Sequence, residues 1–250
     1  MGKWKKWLSA GLFTAMLGTA IIAGPTADVS ANAGNKPYNI ENVSPDAHLA
    51  PSVGDSSSKT SSKAWHKIDG VCYNGSGKKV EGAITRGMDI SEWQGKINWK
   101  EAKKDLDFAF VRISYGTRHL DDYYDYNMTE AEAADVPVGT YVYSLAKTNK
   151  EALAEAQLAI RQMQGHKVSY PVAFDLEDEA TLGTLTRKEI SQIALTFCDE
   201  IRKAGYTPIL YMNLNWYNNF VDWNVLEGSG LDVWIASYGD TILAPSASKY

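Results

Sequence analysis

Val172-Ala173-Phe174-Asp175-Leu176-Glu177-Asp178 is an apolar, strand-like run that ends in carboxylates. Side chains alternate across a strand, so Asp175 and Glu177 share one face while Val172, Phe174 and Leu176 take the other. Successive residues on one face lie about 6–7 Å apart along a strand. Carboxyl groups at that spacing perturb each other, so one can keep a proton while the other stays ionised, the division of labour that sugar-cleaving chemistry needs. Upstream, Gly87-Met88-Asp89-Ile90-Ser91 repeats the pattern and sends Asp89 and Ser91 to one side. Two such strand ends in one domain point to an α/β barrel that cleaves sugars.

Outward from these runs, the chain from residue 86 onward alternates short apolar strands with amphipathic helices. Strands are expected at Gly87–Ser91, Phe108–Ser114, Gly139–Ser144, Pro171–Asp178, Thr207–Asn213 and Asp232–Tyr238, and helices at Asn98–Asp105, Met128–Ala134, Asn149–Gln164 and Arg187–Ala204. Leu153, Ala156, Ile160 and Met163 recur at helical spacing, as do Ile190, Ile193, Ala194, Phe197 and Ile201, and Gly165 and Gly205 follow where helices stop. Strand-helix-strand repeats imply a parallel sheet, and acidic and aromatic residues gathered at strand ends favour a TIM-like barrel.

In such a barrel the carboxyl ends of the strands carry the active site. Asp89 and Ser91 end the first strand, Ser114 and Tyr115 the second, Tyr141 and Tyr143 the third, and Asp175 and Glu177 the fourth. Tyr211 and Asn213 end the fifth, followed by Trp216 and Tyr217, and Trp234, Ser237 and Tyr238 mark the sixth. Rings beside carboxylates suit a carbohydrate, whose apolar faces stack on aromatic groups while its hydroxyls bond to polar tips. Any one of these aromatics alone reads better as core; their recurrence at the same end of successive strands favours a site.

The flanks read differently. Lys3, Lys5 and Lys6 precede an uncharged apolar run from Leu8 to Gly24 and a small-x-small site at Ala31-Asn32-Ala33, so residues 1–33 read as an export signal, with an uncut membrane anchor as the alternative. The expectation is a secreted, cell-wall-associated protein with no stable membrane insertion after cleavage. Residues 34–64 are Ser-rich and without apolar periodicity, a disordered linker. Residues 65–85 read as a short β-hairpin extension with an Asn74-Gly75 turn signal. The net charge of −5 and the absence of basic clusters after the signal argue against nucleic acid. The two cysteines, Cys72 and Cys198, are too few for a disulfide framework, and a bridge between them is not expected. No cluster has metal-ligand spacing and no phosphate loop is present, so no metal or cofactor is expected.

Several of these pieces together resemble glycoside hydrolase family 25, the bacterial and phage N-acetylmuramidases (Chalaropsis-type lysozymes). The resemblance spans Arg86 to Tyr250 and rests on Gly87-Met88-Asp89-Ile90-Ser91-Glu92-Trp93-Gln94-Gly95, Gly139-Thr140-Tyr141-Val142-Tyr143, Asp175-Leu176-Glu177, Pro208-Ile209-Leu210-Tyr211 with Trp216, and Val233-Trp234-Ile235-Ala236-Ser237-Tyr238. It implies a modified barrel of five strand-helix units plus three strands, acting on the β-1,4 bond after N-acetylmuramic acid in peptidoglycan glycan strands. By the same resemblance Glu177 is the general acid, Asp175 its partner carboxylate and Asp89 a further acid. Tyr143 and Tyr211 are substrate-positioning residues on that analogy, and Tyr141, Trp216, Tyr238 and Ser91 complete the expected substrate site. A monomer is expected. Six strands are counted where the family has eight, so residues 86–250 read as a catalytic domain incomplete at its C-terminal side. The competing readings are a chitinase-like glycosidase, which would carry more acids before Asp175, and a wall-binding protein without catalysis, which need not keep Asp89, Asp175 and Glu177 together.

Overall fold

Six parallel strands follow one another across a curled sheet: β1 (Thr85–Ile90), β2 (Phe108–Tyr115), β3 (Val138–Tyr143), β4 (Val168–Asp175), β5 (Pro208–Asn213) and β6 (Asp232–Ala236), each paired with its neighbours in sequence order. The computed structural model describes residues 66–74 and 76–236, with the backbone of two further strands, Gly11–Ala15 and Gly18–Ile21. Gly11–Ala15 runs parallel to β1 on its outer edge, and Gly18–Ile21 folds back antiparallel beside it. The expected cleavage site at Ala31-Asn32-Ala33, the linker at 34–64, Trp65, Ser237 and Tyr238 lie outside the described residues.

Helices fill the connections: α1 (Trp99–Ala102), α2 (Tyr124–Ala133), α3 (Asn149–Met163), α4 (Glu179–Leu182), α5 (Arg187–Lys203), α6 (Leu214–Asn219) and α7 (Trp223–Leu226). The two long helices form where the sequence places them. Thr148 caps α3 by accepting from the Glu151 amide, and Thr186 and Glu189 make a reciprocal capping box on α5. Gly205, at φ 90°, lets the chain leave α5 in a left-handed conformation. The expected helix at Asn98–Asp105 shrinks to the single turn of α1, and α2 begins at Tyr124, four residues before the expected Met128. Its tyrosine-rich start hides the apolar stripe, and Asp121 turns the chain just ahead of it, its carboxylate accepting from the Tyr123 amide and its carbonyl from the Tyr124 amide, both at 3.1 Å.

Strict alternation separates two cores. Val111, Ile113, Val142, Val172, Phe174, Leu176, Leu210 and Met212 face the helices, with Phe174 stacked on Phe197 of α5 at 4.0 Å. Phe108, Phe110, Ala173, Ile209 and Trp234 fill the inside of the curl, joined by Tyr141, Tyr170 and Tyr211. Val142 therefore packs against the helix layer and takes no part in the site.

Two irregularities shape the sheet. β4 begins at Val168 rather than Pro171, and its register against β3 slips between the pairs Val138↔Val168 and Thr140↔Val172. Pro171 has no amide hydrogen for the ladder, so a slip there costs least. β4 also ends at Asp175, so Glu177 lies just past the strand rather than on it, although the Leu176 amide still reaches the Tyr211 carbonyl at 3.0 Å. The second irregularity is a bulge in β2, between the pairs Arg112↔Tyr141 and Ser114↔Val142.

The extension is a ribbon of His66–Ile68 and Val71–Tyr73. Its turn is Asp69-Gly70, both at positive φ (50° and 80°), as a tight two-residue hairpin requires. The expected Asn74 signal makes a second reversal instead, pairing Tyr73 with Lys79. Lys67 Nζ holds both oxygens of Asp107 (2.9 and 2.7 Å), and Asp107 also accepts from the Arg86 amide at 2.7 Å, which clasps the ribbon to the amino ends of β1 and β2. It is part of the barrel floor.

The slip at Pro171 brings backbone close to β3: a Cβ at Gly139 would stand 2.5 Å from the Pro171 carbonyl oxygen and 2.7 Å from the Phe110 ring. Gly139→Ala is expected to destabilise the fold by about 1–3 kcal/mol, the usual cost of overpacking, read as a lower urea midpoint with unchanged slope.

Candidate active site

The carboxyl ends of the strands converge at one mouth of the curl. Pairing places Tyr115, Tyr143, Asp175, Tyr211 and Trp234 in one continuous row, each in register with the next. Partners in register point to the same face, so this row lines the inside of the sheet at its carboxyl end. Asp175 stands in the middle, with two tyrosines on one flank and Tyr211 and Trp234, packed edge to face at 4.5 Å, on the other. Glu177 follows Asp175 on the loop into α4, and Asp89 rises from β1.

Asp175 and Glu177 are withdrawn from water, and Asp89 is half-buried beside them. Asp175 is 5% exposed and Glu177 9%. Asp89 Oδ2 and Asp175 Oδ1 are buried without a hydrogen-bond partner among the described residues. Burial penalises the ionised form, so it pushes the Asp89 carboxyl up to about 6. Asp175 is raised well above the ordinary carboxylate range by burial and then by the neighbouring charges of Glu177 and Asp89, with Arg112 pulling the other way. Glu177 is raised to about 7 by burial, against the backbone and side-chain hydrogen bonds it receives from Asn213. Buried carboxyls that repel one another cannot all ionise at neutral pH, so the group retains at least one proton.

The buried cation that acts on Asp175, Arg112, is committed elsewhere. Arg112 donates to Glu92 Oε1 at 2.7 Å and to Asp121 Oδ2 at 3.0 Å. Asp121 Oδ2 also takes the Glu92 amide at 2.6 Å, and Glu92 Oε2 meets His119 Nε2 at 2.7 Å. This network pins the loop after β1 to the end of β2. Arg112 therefore tempers Asp175 through space without pairing with it.

Of the expected site residues, the structure brings together Asp89, Asp175, Glu177, Tyr141, Tyr143 and Tyr211. Burial lifts the Tyr141 and Tyr143 hydroxyls above the ordinary phenol range, so both remain donors at any working pH. Two residues are placed otherwise. Trp216 is 2% exposed and stacks on Phe220 at 4.4 Å within the helix-side core, because Asn213 caps α6 and turns the chain back under the sheet. Ser91 is buried and caps the short turn Glu92–Gln94, its amide and hydroxyl both directed to Gln94 Oε1 (2.8 and 3.2 Å). Tyr238 lies outside the described residues. Asn213 joins the site as the donor to Glu177; its position at the end of β5 was the available signal. Both cysteines are buried and unbridged, and no group of metal-ligating side chains occurs among the described residues.

Comparison with known proteins agrees with this geometry. The family model described as glycosyl hydrolases family 25 matches residues 88–247. Lysozyme M1 of Streptomyces globisporus is 25% identical over 164 residues, 62% of this chain and 55% of that protein. The uncharacterized protein YegX of Escherichia coli K12 is 25% identical over 139 residues, 53% of this chain and 49% of its own length. The chain thus spans about half the length of the curated relatives it matches. Among solved structures, a family 25 glycosyl hydrolase from Bacillus anthracis superposes with a TM-score of 0.55 at 21% identity, covering 70% of this chain and 76% of that one. The modular autolysin LytC of Streptococcus pneumoniae, in complex with a synthetic peptidoglycan ligand, gives 0.57 at 19% identity, covering 72% and 50%.

A carboxyl whose folded pKa is raised favours the folded state most below its unfolded value and loses that advantage as pH climbs through the folded one. For Glu177 the window runs from its ordinary value of 4.5 to about 7. Glu177→Gln is therefore expected to unfold at higher urea than wild type at pH 8, by on the order of 3 kcal/mol, with the gap closing at pH 4. Parallel urea titrations at the two pH values measure it.

Proposed function

The chain belongs to the glycosyl hydrolases of family 25, and on that premise we propose that it is a lysozyme. It hydrolyses the β-1,4 bond between N-acetylmuramic acid and N-acetylglucosamine in peptidoglycan. The observation that carries the reading is the convergence of Asp89, Asp175 and Glu177, with raised pKa values, inside a wall of tyrosines at the carboxyl ends of the strands. A carboxyl held near pKa 7 can still donate a proton at the pH where it works.

In this mechanism Glu177 protonates the glycosidic oxygen as its bond to the anomeric carbon breaks. The 2-acetamido oxygen of the N-acetylmuramic acid attacks that carbon, and Asp175 orients the acetamido group and stabilises the oxazolinium that forms. Glu177, now ionised, takes a proton from the water that opens the ring. The two displacements together retain configuration. Asp89 adds negative charge beside the cationic intermediate, and the hydroxyls of Tyr141, Tyr143 and Tyr211 hold the sugar. Action on peptidoglycan suits export by the leader at 1–33. Its removal would take the Gly11–Ala15 and Gly18–Ile21 pair away from the edge of β1.

Digestion of purified peptidoglycan tests the reading. Wild type is expected to release reducing N-acetylmuramic acid ends, and Glu177→Gln to release them about 10²–10⁴ times more slowly. Release of reducing N-acetylglucosamine ends, or equal rates for the two proteins, would contradict it. Since Glu177 must be protonated to act as acid, kcat/KM is expected to fall as pH rises through about 7. An inverted first product would rule out assistance by the acetamido group.

A further inference from the structure

The bulge in β2 has a consequence at the mouth of the site. Phe110 and Arg112 point inward while Val111 and Ile113 face the helices, so unbroken alternation would send Ser114 inward and Tyr115 out. The register shift between Arg112 and Ser114 reverses this. Ser114 pairs with the helix-facing Val142, and Tyr115 pairs with the inward Tyr143. Bulges beside active sites commonly re-aim a side chain in this way. The Tyr115 ring stacks on Tyr143 with centroids 4.7 Å apart and planes at 18°. Both hydroxyls reach the same oxygen, Asp178 Oδ2, at 3.4 Å each, while Asp178 Oδ1 caps α4 through the Thr181 amide at 2.7 Å. Tyr115 is 37% exposed.

We infer that Tyr115, fixed by Tyr143 and Asp178, forms a sugar-binding wall on the β2 side of the acids and determines how a glycan strand seats there. This rests on the glycan-cleaving reading above. A ring that is rigidly stacked from beneath and open on its outer side offers a flat apolar face to a pyranose at little cost in conformational freedom. The two 3.4 Å contacts are long for hydroxyl-to-carboxylate bonds, so Asp178 Oδ2 can exchange one of them for a shorter bond from a sugar hydroxyl. Asp178 directly follows Glu177, so the wall and the acid are anchored by one short loop. With the half-buried Tyr211 on the opposite flank, a glycan laid across the strand ends has a ring to rest on to either side of the acids.

The test uses the full chain carrying Glu177→Gln, so that ligand survives, titrated calorimetrically with a peptidoglycan tetrasaccharide. Adding Tyr115→Ala is expected to weaken binding about tenfold, and Tyr115→Phe, which keeps the ring, about two- to threefold. Asp178→Asn, which can still cap α4, is expected to match Tyr115→Phe. In the active chain, Tyr115→Ala should raise KM and leave kcat within about twofold, the signature of lost uniform binding. Unchanged tetrasaccharide affinity in a Tyr115→Ala protein with parental circular dichroism would overturn the inference, as would failure of the parent to bind. Tyr115-dependent binding by a wild-type chain that releases no reducing ends would instead sink the hydrolase reading and leave this one standing.

Discussion

Two carboxyl groups, Asp175 and Glu177, are buried at the carboxyl end of a curled parallel sheet with the half-buried Asp89 beside them, and Arg112, the cation that acts on Asp175, is spent on other partners. Withdrawing a charge from water is expensive unless it is paired, and Arg112 is paired with Glu92 and Asp121 rather than with Asp175. Burial and the neighbouring acidic charges instead raise Asp89, Asp175 and Glu177 together, so that the site favours holding protons. A retained proton beside carboxylates that can ionise is also what acid catalysis of glycoside cleavage needs. The feature that makes the site reactive is thus one that works against the fold.

The remainder of the structure supplies the compensating stability. α3 and α5 pack against each other and against the outward faces of the strands through an apolar layer that includes Phe174, Phe197 and Ile201. Beneath the acids, Phe108, Phe110, Tyr170 and Trp234 stack into a filled interior, so the barrel is a packed solid with a reactive rim. Glu155 of α3 extends the support to the rim. It accepts from the Ser144 hydroxyl at 2.8 Å and the Leu145 amide at 2.9 Å, which holds the loop that follows Tyr143.

What could be read from sequence followed the two simple periodicities. The strand cores and the two long helices announced themselves because one face of each is apolar, and Asp89, Asp175 and Glu177 stood out as acids at the ends of apolar runs. The errors came where a single local bond overrides the pattern. Trp216 follows a strand end and reads as a site aromatic, yet the Asn213 cap rotates it into the core. Ser91 shares a parity with Asp89 but is consumed in capping Glu92–Gln94. Tyr115 is legible as a strand-end residue but not as part of the substrate site: only the bulge turns it inward, and no residue type in Phe108–Tyr115 marks a bulge. Asn213 offered its position but not its role, since the bond to Glu177 depends on where β4 and β5 stop.

The most direct test of this account is the ionisation of the acids themselves. Carboxyl carbon NMR of protein labelled at Asp and Glu side chains, assigned with Asp89→Asn and Glu177→Gln and followed from pH 3 to 9, is expected to show Asp89 titrating near 6 and Glu177 near 7, with Asp175 also displaced upward. Titration of all three in the ordinary carboxylate range, at about 4, would mean that water or a counter-charge reaches them. The buried, proton-holding site described above would then not exist.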